Sequence, residues 1–305
     1  MTAIDWLLDS DPAIRWQVMR DLVDTPSEVV AAERAKVPSE GWGARILALQ
    51  GTDGQWAGGS YFPVLEQEPV GQPWTATAWS LKLLVDLGID PADERARRAV
   101  EAARASRWEY NDEPFFSGEI EPCINGLTVS IGSYFGEDVD AIVGLLLTQQ
   151  MEDGGWNCDI DSGPTRSSFN STIAVLEGLL AFGGDTSVVE ARARGEEYLL
   201  ARRLKYRLTT GEVPVEGWLQ FSFPTRWYYD VLRGLDYFRA VGGAPDPRLA
   251  DAVALVESKR QPDGTWLLEN THDGDVHFEM DDGDGRPSRW NTLRALRVLR
   301  WWSTA

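Results

Sequence analysis

Apolar and polar positions recur along this chain with the 3.6-residue period of α-helices, and the strict alternation of half-buried strands is scarce. Two kinds of helical segment alternate. One kind is amphipathic with a charged face, at Asp93–Arg104, Asp138–Gln150, Ser187–Arg203 and Arg248–Arg260. In the third of these, Arg194, Glu196 and Glu197 flank an apolar stripe that includes Tyr198 and Leu199, the pattern of a helix with one buried side. The other kind carries fewer charges and more small residues. Its openings are Pro12-Ala13-Ile14-Arg15-Trp16, Pro73-Trp74-Thr75-Ala76-Thr77-Ala78-Trp79, Pro122-Cys123-Ile124-Asn125-Gly126, Ser168-Phe169-Asn170-Ser171-Thr172, Pro224-Thr225-Arg226-Trp227-Tyr228-Tyr229-Asp230 and Ser288-Arg289-Trp290-Asn291-Thr292. Pro or Ser just ahead of the first turn fits a helix start.

Three of these openings are preceded by a recurring tryptophan loop: Gln50-x-x-x-Gly54-x-Trp56, Gln150-x-x-x-Gly154-x-Trp156 and Gln261-x-x-Gly264-x-Trp266. A loop that recurs at one place in a helix–loop–helix unit indicates a repeat architecture. The simplest reading is about six helical hairpins, stacked as an open solenoid or closed into a ring. Closure would put the less charged helices inside and the amphipathic ones outside. The Gln is expected to cap the end of an outer helix and the Trp to pack under the next hairpin.

Composition narrows the classes. At 305 residues and 43% hydrophobic content the chain can bury a sizeable core, read here as one domain over residues 1–305. Lys and Arg number 29 against 48 Asp and Glu, a net charge of -19. That balance disfavours nucleic acid and anionic membrane surfaces as partners. Two cysteines are too few for a disulfide framework. The N-terminal residues lack a basic, apolar leader pattern, and no apolar run reaches the roughly 18 residues of a membrane span. The expected location is the cytoplasm, with no membrane insertion.

The three loops, in register with alternating helices, resemble the QW motif of the α/α-toroid superfamily of squalene–hopene cyclases, oxidosqualene cyclases and protein prenyltransferase β subunits. The resemblance implies an all-α fold, an α/α toroid (α6/α6 barrel) of about six hairpins. It also implies an enzyme that takes a hydrophobic, isoprenoid-type small molecule into a central aromatic-lined cavity. Two features depart from the triterpene cyclases. The chain has repeats for one toroid rather than two. The Asp-x-Asp-Asp-Thr-Ala opening, whose middle Asp protonates the substrate, is replaced at the most similar place by Pro73-Trp74-Thr75-Ala76-Thr77-Ala78. Asp281-Asp282-Gly283-Asp284 lies in a Gly-rich stretch and reads as a solvated turn.

Four residues supply all the thiols and imidazoles: Cys123, Cys158, His272 and His277. All fall in connections that lead to low-charge helices, or at the start of one, which a closed toroid places on one rim. Glu121-Pro122-Cys123 is similar to the Asp-x-Cys that gives two zinc ligands in prenyltransferases, with Glu in place of Asp. The family's later His ligand is not matched, because the corresponding openings carry Asn170 and Asn291. The expected metal set is therefore Cys123, Cys158 and His277 around zinc, with a fourth position open. His272 is expected at the surface.

Expected substrate-binding residues are the aromatic and polar side chains of the openings: Trp16, Trp74, Trp79, Phe169, Asn170, Arg226, Trp227, Arg289 and Trp290. Unpaired N–H groups at helix starts, with Arg nearby, suit an anionic head group. Expected catalytic groups are Tyr228, Tyr229, Asp230 and Glu279. Two alternatives stand beside this reading. One is a non-catalytic toroid that binds a hydrophobic ligand or a protein partner, including a partner subunit of the kind prenyltransferases need. The other is a metal-free terpene cyclase that uses a different acid.

Overall fold

A computed structural model describes residues 2–64, 72–109, 111–159, 163 and 165–304. Among them the fold is all-α. In chain order the helices are α1 (Ala3–Leu8), α2 (Pro12–Asp21), α3 (Ser27–Arg34), α4 (Gly41–Ala48), α5 (Thr77–Leu87), α6 (Glu94–Ala105), α7 (Pro122–Phe135), α8 (Asp140–Thr148), α9 (Phe169–Phe182), α10 (Thr186–Ala201), α11 (Val231–Val241), α12 (Ala250–Ser258) and α13 (Arg289–Trp302). Two two-residue strands, β1 (Trp266–Leu267) and β2 (Pro287–Ser288), pair antiparallel. No described helix is long and apolar enough to cross a membrane.

The predicted alternation is present. The low-charge helices α5, α7 and α9 bury most of their residues, whereas α6 buries only the stripe Ala96, Ala99, Val100 and Ala103. Asp93 caps α6 by accepting from the N–H groups of Arg95 and Ala96, the usual remedy for orphan donors at a helix start.

Two openings start later than expected. The helix predicted from Pro73 begins at Thr77, because Trp74 is tied elsewhere: its backbone N–H donates to Asp275 O (2.8 Å) and its indole N–H to Asp273 O (2.9 Å). The helix predicted from Pro224 begins at Val231. Arg226 adopts φ +55°, outside helical space, and Asp230 turns its carboxylate back to accept from Arg233 N–H (2.7 Å). Trp227, Tyr228 and Tyr229 therefore lie before the helix rather than on it.

The structure packs as two compact units. One comprises Met1–Gly43, Leu199–His272 and Phe278–Ala305; the other comprises Ala44–Tyr198 and Asp273–His277.

The second unit is organised by the α7–α9 pair. A Cβ at Gly126 would lie 2.4 Å from Ala174 O, and one at Gly178 would lie 2.4 Å from Gly126 O. The two helices thus meet backbone to backbone, which only glycine permits there. In the first unit α13 packs on α11, α12, α2 and α1, and its start is tied to the Trp266 loop by the β1–β2 pair.

The tryptophan loops are structural joints of one design. Each indole N–H donates to a carbonyl in the preceding helical segment: Trp56 to Ile46 (2.8 Å), Trp156 to Leu146 (2.8 Å) and Trp266 to Val256 (2.7 Å). Each Trp backbone N–H donates to a threonine hydroxyl at the next low-charge helix, Thr77, Thr172 and Thr292 respectively. The Gln50 amide bridges Gly54 O and Arg95 O, and Gln150 bridges Gly154 O and Ala191 O, so each Gln fastens its loop to the following outer helix.

The third loop differs. Gln261 N donates to Thr265 O as Gly51 N donates to Gln55 O and Met151 N to Gly155 O. Gln261 thus stands one residue out of register, and its amide donates to Lys259 O instead of to an outer helix. Arg260 holds the equivalent place, with its guanidinium 4.9 Å from the Trp266 ring centre.

Candidate functional site

In the Ala44–Tyr198 unit, the α7–α9 contact sets the start of α7 beside the loop that leads into α9. Asn125, fully buried in the first turn of α7, clamps the approach: its amide donates to Glu119 O (2.6 Å) and its carbonyl accepts from Glu119 N–H (2.7 Å). Glu119 in turn accepts from Glu121 N–H (2.6 Å). These bonds fix residues 119–121 and aim Glu121 back at the helix start. On the other side, Trp156 and Ser168 are bridged, and Cys158 N–H donates to Ser171 Oγ (3.1 Å) in the first turn of α9.

Glu121, Cys123 and Cys158 converge between these two anchors. A carboxylate oxygen and both sulfurs lie within 4.8 Å of one another, and all three residues are half-buried. Cys158 Sγ accepts from Cys123 N–H (3.1 Å) and from Ser171 O–H (3.2 Å). Cys123 Sγ donates to Glu121 Oε2 at 3.6 Å.

The pair of thiols is electrostatically unequal. Facing Cys158, burial and the Glu121 carboxylate all push the Cys123 thiol well above its ordinary value. Cys158 moves the other way, because the facing Cys123 side chain, the Ser171 hydroxyl and the Cys123 N–H favour its anion. Burial pushes the Glu121 carboxyl up. No described cation forms an ion pair with Glu121, which is unusual for a half-buried carboxylate.

His277 belongs to the same unit but not to this cluster. Its Nε2 lies 2.7 Å from Ser80 Oγ, and Ser80 also donates to Ala76 O, so the ring is engaged on α5. Around that point Trp74 and Trp79 pack edge to face at 4.8 Å, and Tyr61 lies 5.2 Å from Trp79. Phe169 meets Tyr198 at 5.5 Å, while Asn170 is half-buried on the first turn of α9.

The remaining expected residues lie in the other unit and form no single cluster. Trp227, Tyr228 and His272 stack in series, at 3.9 Å and 4.0 Å. His272 Nε2 lies 3.1 Å from Ser222 Oγ, and burial pushes the imidazole down to about 4, with Arg226 and Arg233 adding to the effect. It is a half-buried residue and not a surface one. Tyr229 spends its hydroxyl on Leu204 O (2.6 Å).

Asp230 is buried, caps α11 and accepts from Ser222 N–H and O–H; burial pushes its carboxyl up against the opposing pull of Arg294. Glu279 is exposed. Arg20 and Arg34 lie over the Trp16 ring, at 4.5 and 5.3 Å. Arg226 accepts at its carbonyl from Arg233. Arg289 lies over Trp6 at 4.4 Å, and Trp290 stacks on Phe223 at 4.1 Å.

Asp281 was expected in a solvated turn, yet its carboxylate accepts from Ser288 O–H (2.7 Å) and Arg289 N–H (3.3 Å) at the start of α13. Burial pushes that carboxyl up too. The sequence signal for it was position alone: an acid a few residues ahead of a helix start can reach the orphan N–H groups.

No protein-family model matches the sequence, and no curated protein matches it either. Among solved structures the chain is similar to a protein from Actinoplanes, with 19% identity and a TM-score of 0.48 over 99% of this chain and 97% of that one. It is also similar to the type II terpene cyclase MstE from Scytonema, with 15% identity and a TM-score of 0.48 over 97% of this chain and 94% of that one. A third similarity is to ent-copalyl diphosphate synthase from Streptomyces platensis, with 16% identity and a TM-score of 0.47; it covers 99% of this chain and 50% of the synthase.

Proposed function

We propose that this chain is an enzyme acting on an apolar, isoprenoid-type substrate, with a zinc centre formed by Glu121, Cys123 and Cys158. The observation that carries the metal reading is the convergence of two sulfurs and a carboxylate oxygen within 4.8 Å. Tetrahedral zinc with thiolates at about 2.3 Å and carboxylate at about 2.1 Å needs donor atoms roughly 3.5–3.8 Å apart, so small side-chain rotations suffice. Soft thiolates favour zinc over magnesium or calcium. Glu121 replaces His277 in the expected donor set, and it sits where the resemblance to the prenyltransferase Asp-x-Cys places the carboxylate. The isoprenoid part rests on the tryptophan loops and the repeat they mark.

Within the site the chain's own groups have distinct tasks. The Cys123 N–H and the Ser171 hydroxyl orient the Cys158 sulfur and stabilise its negative charge. Asn125 and Glu119 hold Glu121 in place. A bound zinc would supply Lewis acidity at a fourth, open position. The cytoplasm, where thiols stay reduced, suits this centre.

One observation favours a second reading. Burial favours the protonated form of the Glu121 carboxyl and no described cation opposes it, so a metal-free cyclase would use Glu121 as its acid. Metal analysis of the purified protein, joined to a turnover assay with geranylgeranyl dihydroxybenzoate, separates these. That compound is the substrate named for the R337A variant of MstE. One zinc per chain, lost in Cys158→Ala, is expected. Turnover in a zinc-free protein that Glu121→Gln abolishes would replace the metal reading with the acid one. If the protein neither binds nor turns over geranylgeranyl compounds, the isoprenoid reading falls.

A further inference from the structure

We propose that Cys123 and Cys158 form a dithiol that a small hydroperoxide oxidises to an intramolecular disulfide, with Cys158 as the attacking sulfur and Cys123 as the resolving one. The proposal concerns the same two thiols as the zinc reading but does not need the metal.

The geometry assigns the two roles. Cys158 Sγ accepts two hydrogen bonds, from Cys123 N–H at the start of a 14-residue helix and from Ser171 O–H. These two donors hold the Cys158 sulfur in place beside Cys123. Cys123 Sγ has an acceptor instead, Glu121 Oε2 at 3.6 Å, which can take its proton when it reacts. The sulfurs lie within 4.8 Å, so a bond of about 2.05 Å requires an approach of less than about 3 Å. Cys158 lies in a loop outside any helix, so its backbone is free of the ladder that fixes Cys123. Both cysteines are free thiols, and they are all the cysteine the chain has.

The chemistry balances. The Cys158 sulfur attacks one peroxide oxygen, the O–O bond breaks, and the leaving hydroxide or alkoxide takes a proton to become water or an alcohol. Cys158 is then a sulfenic acid. The Cys123 sulfur attacks the Cys158 sulfur, the S–O bond breaks, and the departing hydroxide takes the Cys123 proton by way of Glu121. Two thiols lose two electrons in total, and one hydroperoxide gains them.

The full-length protein, stripped with a chelator and its zinc content recorded first, is treated with a small excess of hydrogen peroxide. Thiols are then titrated, and peptides are mapped without reduction. The expected result is loss of both titratable thiols, a peptide link between Cys123 and Cys158 within one chain, and full recovery with dithiothreitol. Cys123→Ser should accumulate a dimedone-reactive sulfenic acid at Cys158, whereas Cys158→Ser should leave Cys123 unlabelled. Thiols that persist under peroxide, sulfenic acid on Cys123, or links only between chains would overturn the proposal. The zinc content decides the metal reading separately, and neither result stands in for the other.

Discussion

Asp236, on α11, is met by the guanidinium groups of Arg239, Arg294 and Arg297, whereas Glu121, ahead of α7, is met by two thiols and no described cation. Burial opposes ionisation at both. At Asp236 the arginines outweigh it and hold the carboxyl below the usual carboxylate range. At Glu121 nothing does, and the carboxyl stays raised. The first arrangement is that of a structural charge network. Arg297 also reaches Gln17 (2.9 Å) and Asp21 (3.3 Å), so it ties α13 to both α2 and α11. The second leaves polar atoms whose partners do not neutralise them, and such atoms are available for chemistry.

The largest effect is expected at Arg297. Replacing it with Met leaves Asp236 with Arg239 and Arg294 only and Asp21 with Arg20 only, and urea unfolding should show a loss of about 2–4 kcal/mol. A loss below about 1 kcal/mol would mean that the network is not structural.

A second effect, about 2 kcal/mol between pH 7 and pH 5, comes from His272. Its imidazole titrates at about 4 in the folded protein, against about 6.5 when unfolded. Between those values the unfolded chain binds the extra proton, so stability is intact above pH 6.5 and falls as pH drops towards 4. Unfolding curves at pH 7 and pH 5 should differ in that direction, and His272→Phe should flatten the difference.

At the α7–α9 contact, Gly178→Ala puts a methyl 2.4 Å from Gly126 O and should cost about 1–3 kcal/mol. It should also separate the start of α7 from Cys158, so zinc affinity should fall with it. The smallest stability effect is expected at Glu121→Gln, under about 1 kcal/mol, since no ion pair is lost. Zinc binding should nevertheless weaken, and that split between stability and metal is what sets Glu121 apart from Asp236.

Much of this was legible in the chain. The alternation of charged and less charged helices follows from the 3.6-residue period, and three Trp loops marked their junctions. The register of the third loop was not legible, because Gln261 and Arg260 are adjacent and only the backbone bond from Gln261 N to Thr265 O settles which is equivalent to Gln50. The late start of α11 was hidden because Pro224 looks like a first-turn proline, while a left-handed Arg226 and the Asp230 cap act several residues on.

At the site, Cys123 and Cys158 were expected together and are together. His277 was grouped with them by type and position along the chain. Its partner, Ser80, is 197 residues away in sequence, and nothing in the sequence links the two. Glu121 was visible beside Cys123, but that no described cation pairs with it is a property of the packed structure alone.

The most direct measurement is the zinc content of the purified protein and of Cys158→Ser, by elemental mass spectrometry, with thermal melts of both alongside. One zinc per chain, lost in the variant while the fold is retained, is the expected result. A folded wild-type protein that takes up no zinc, or a variant that keeps it, would contradict a metal centre at Glu121, Cys123 and Cys158.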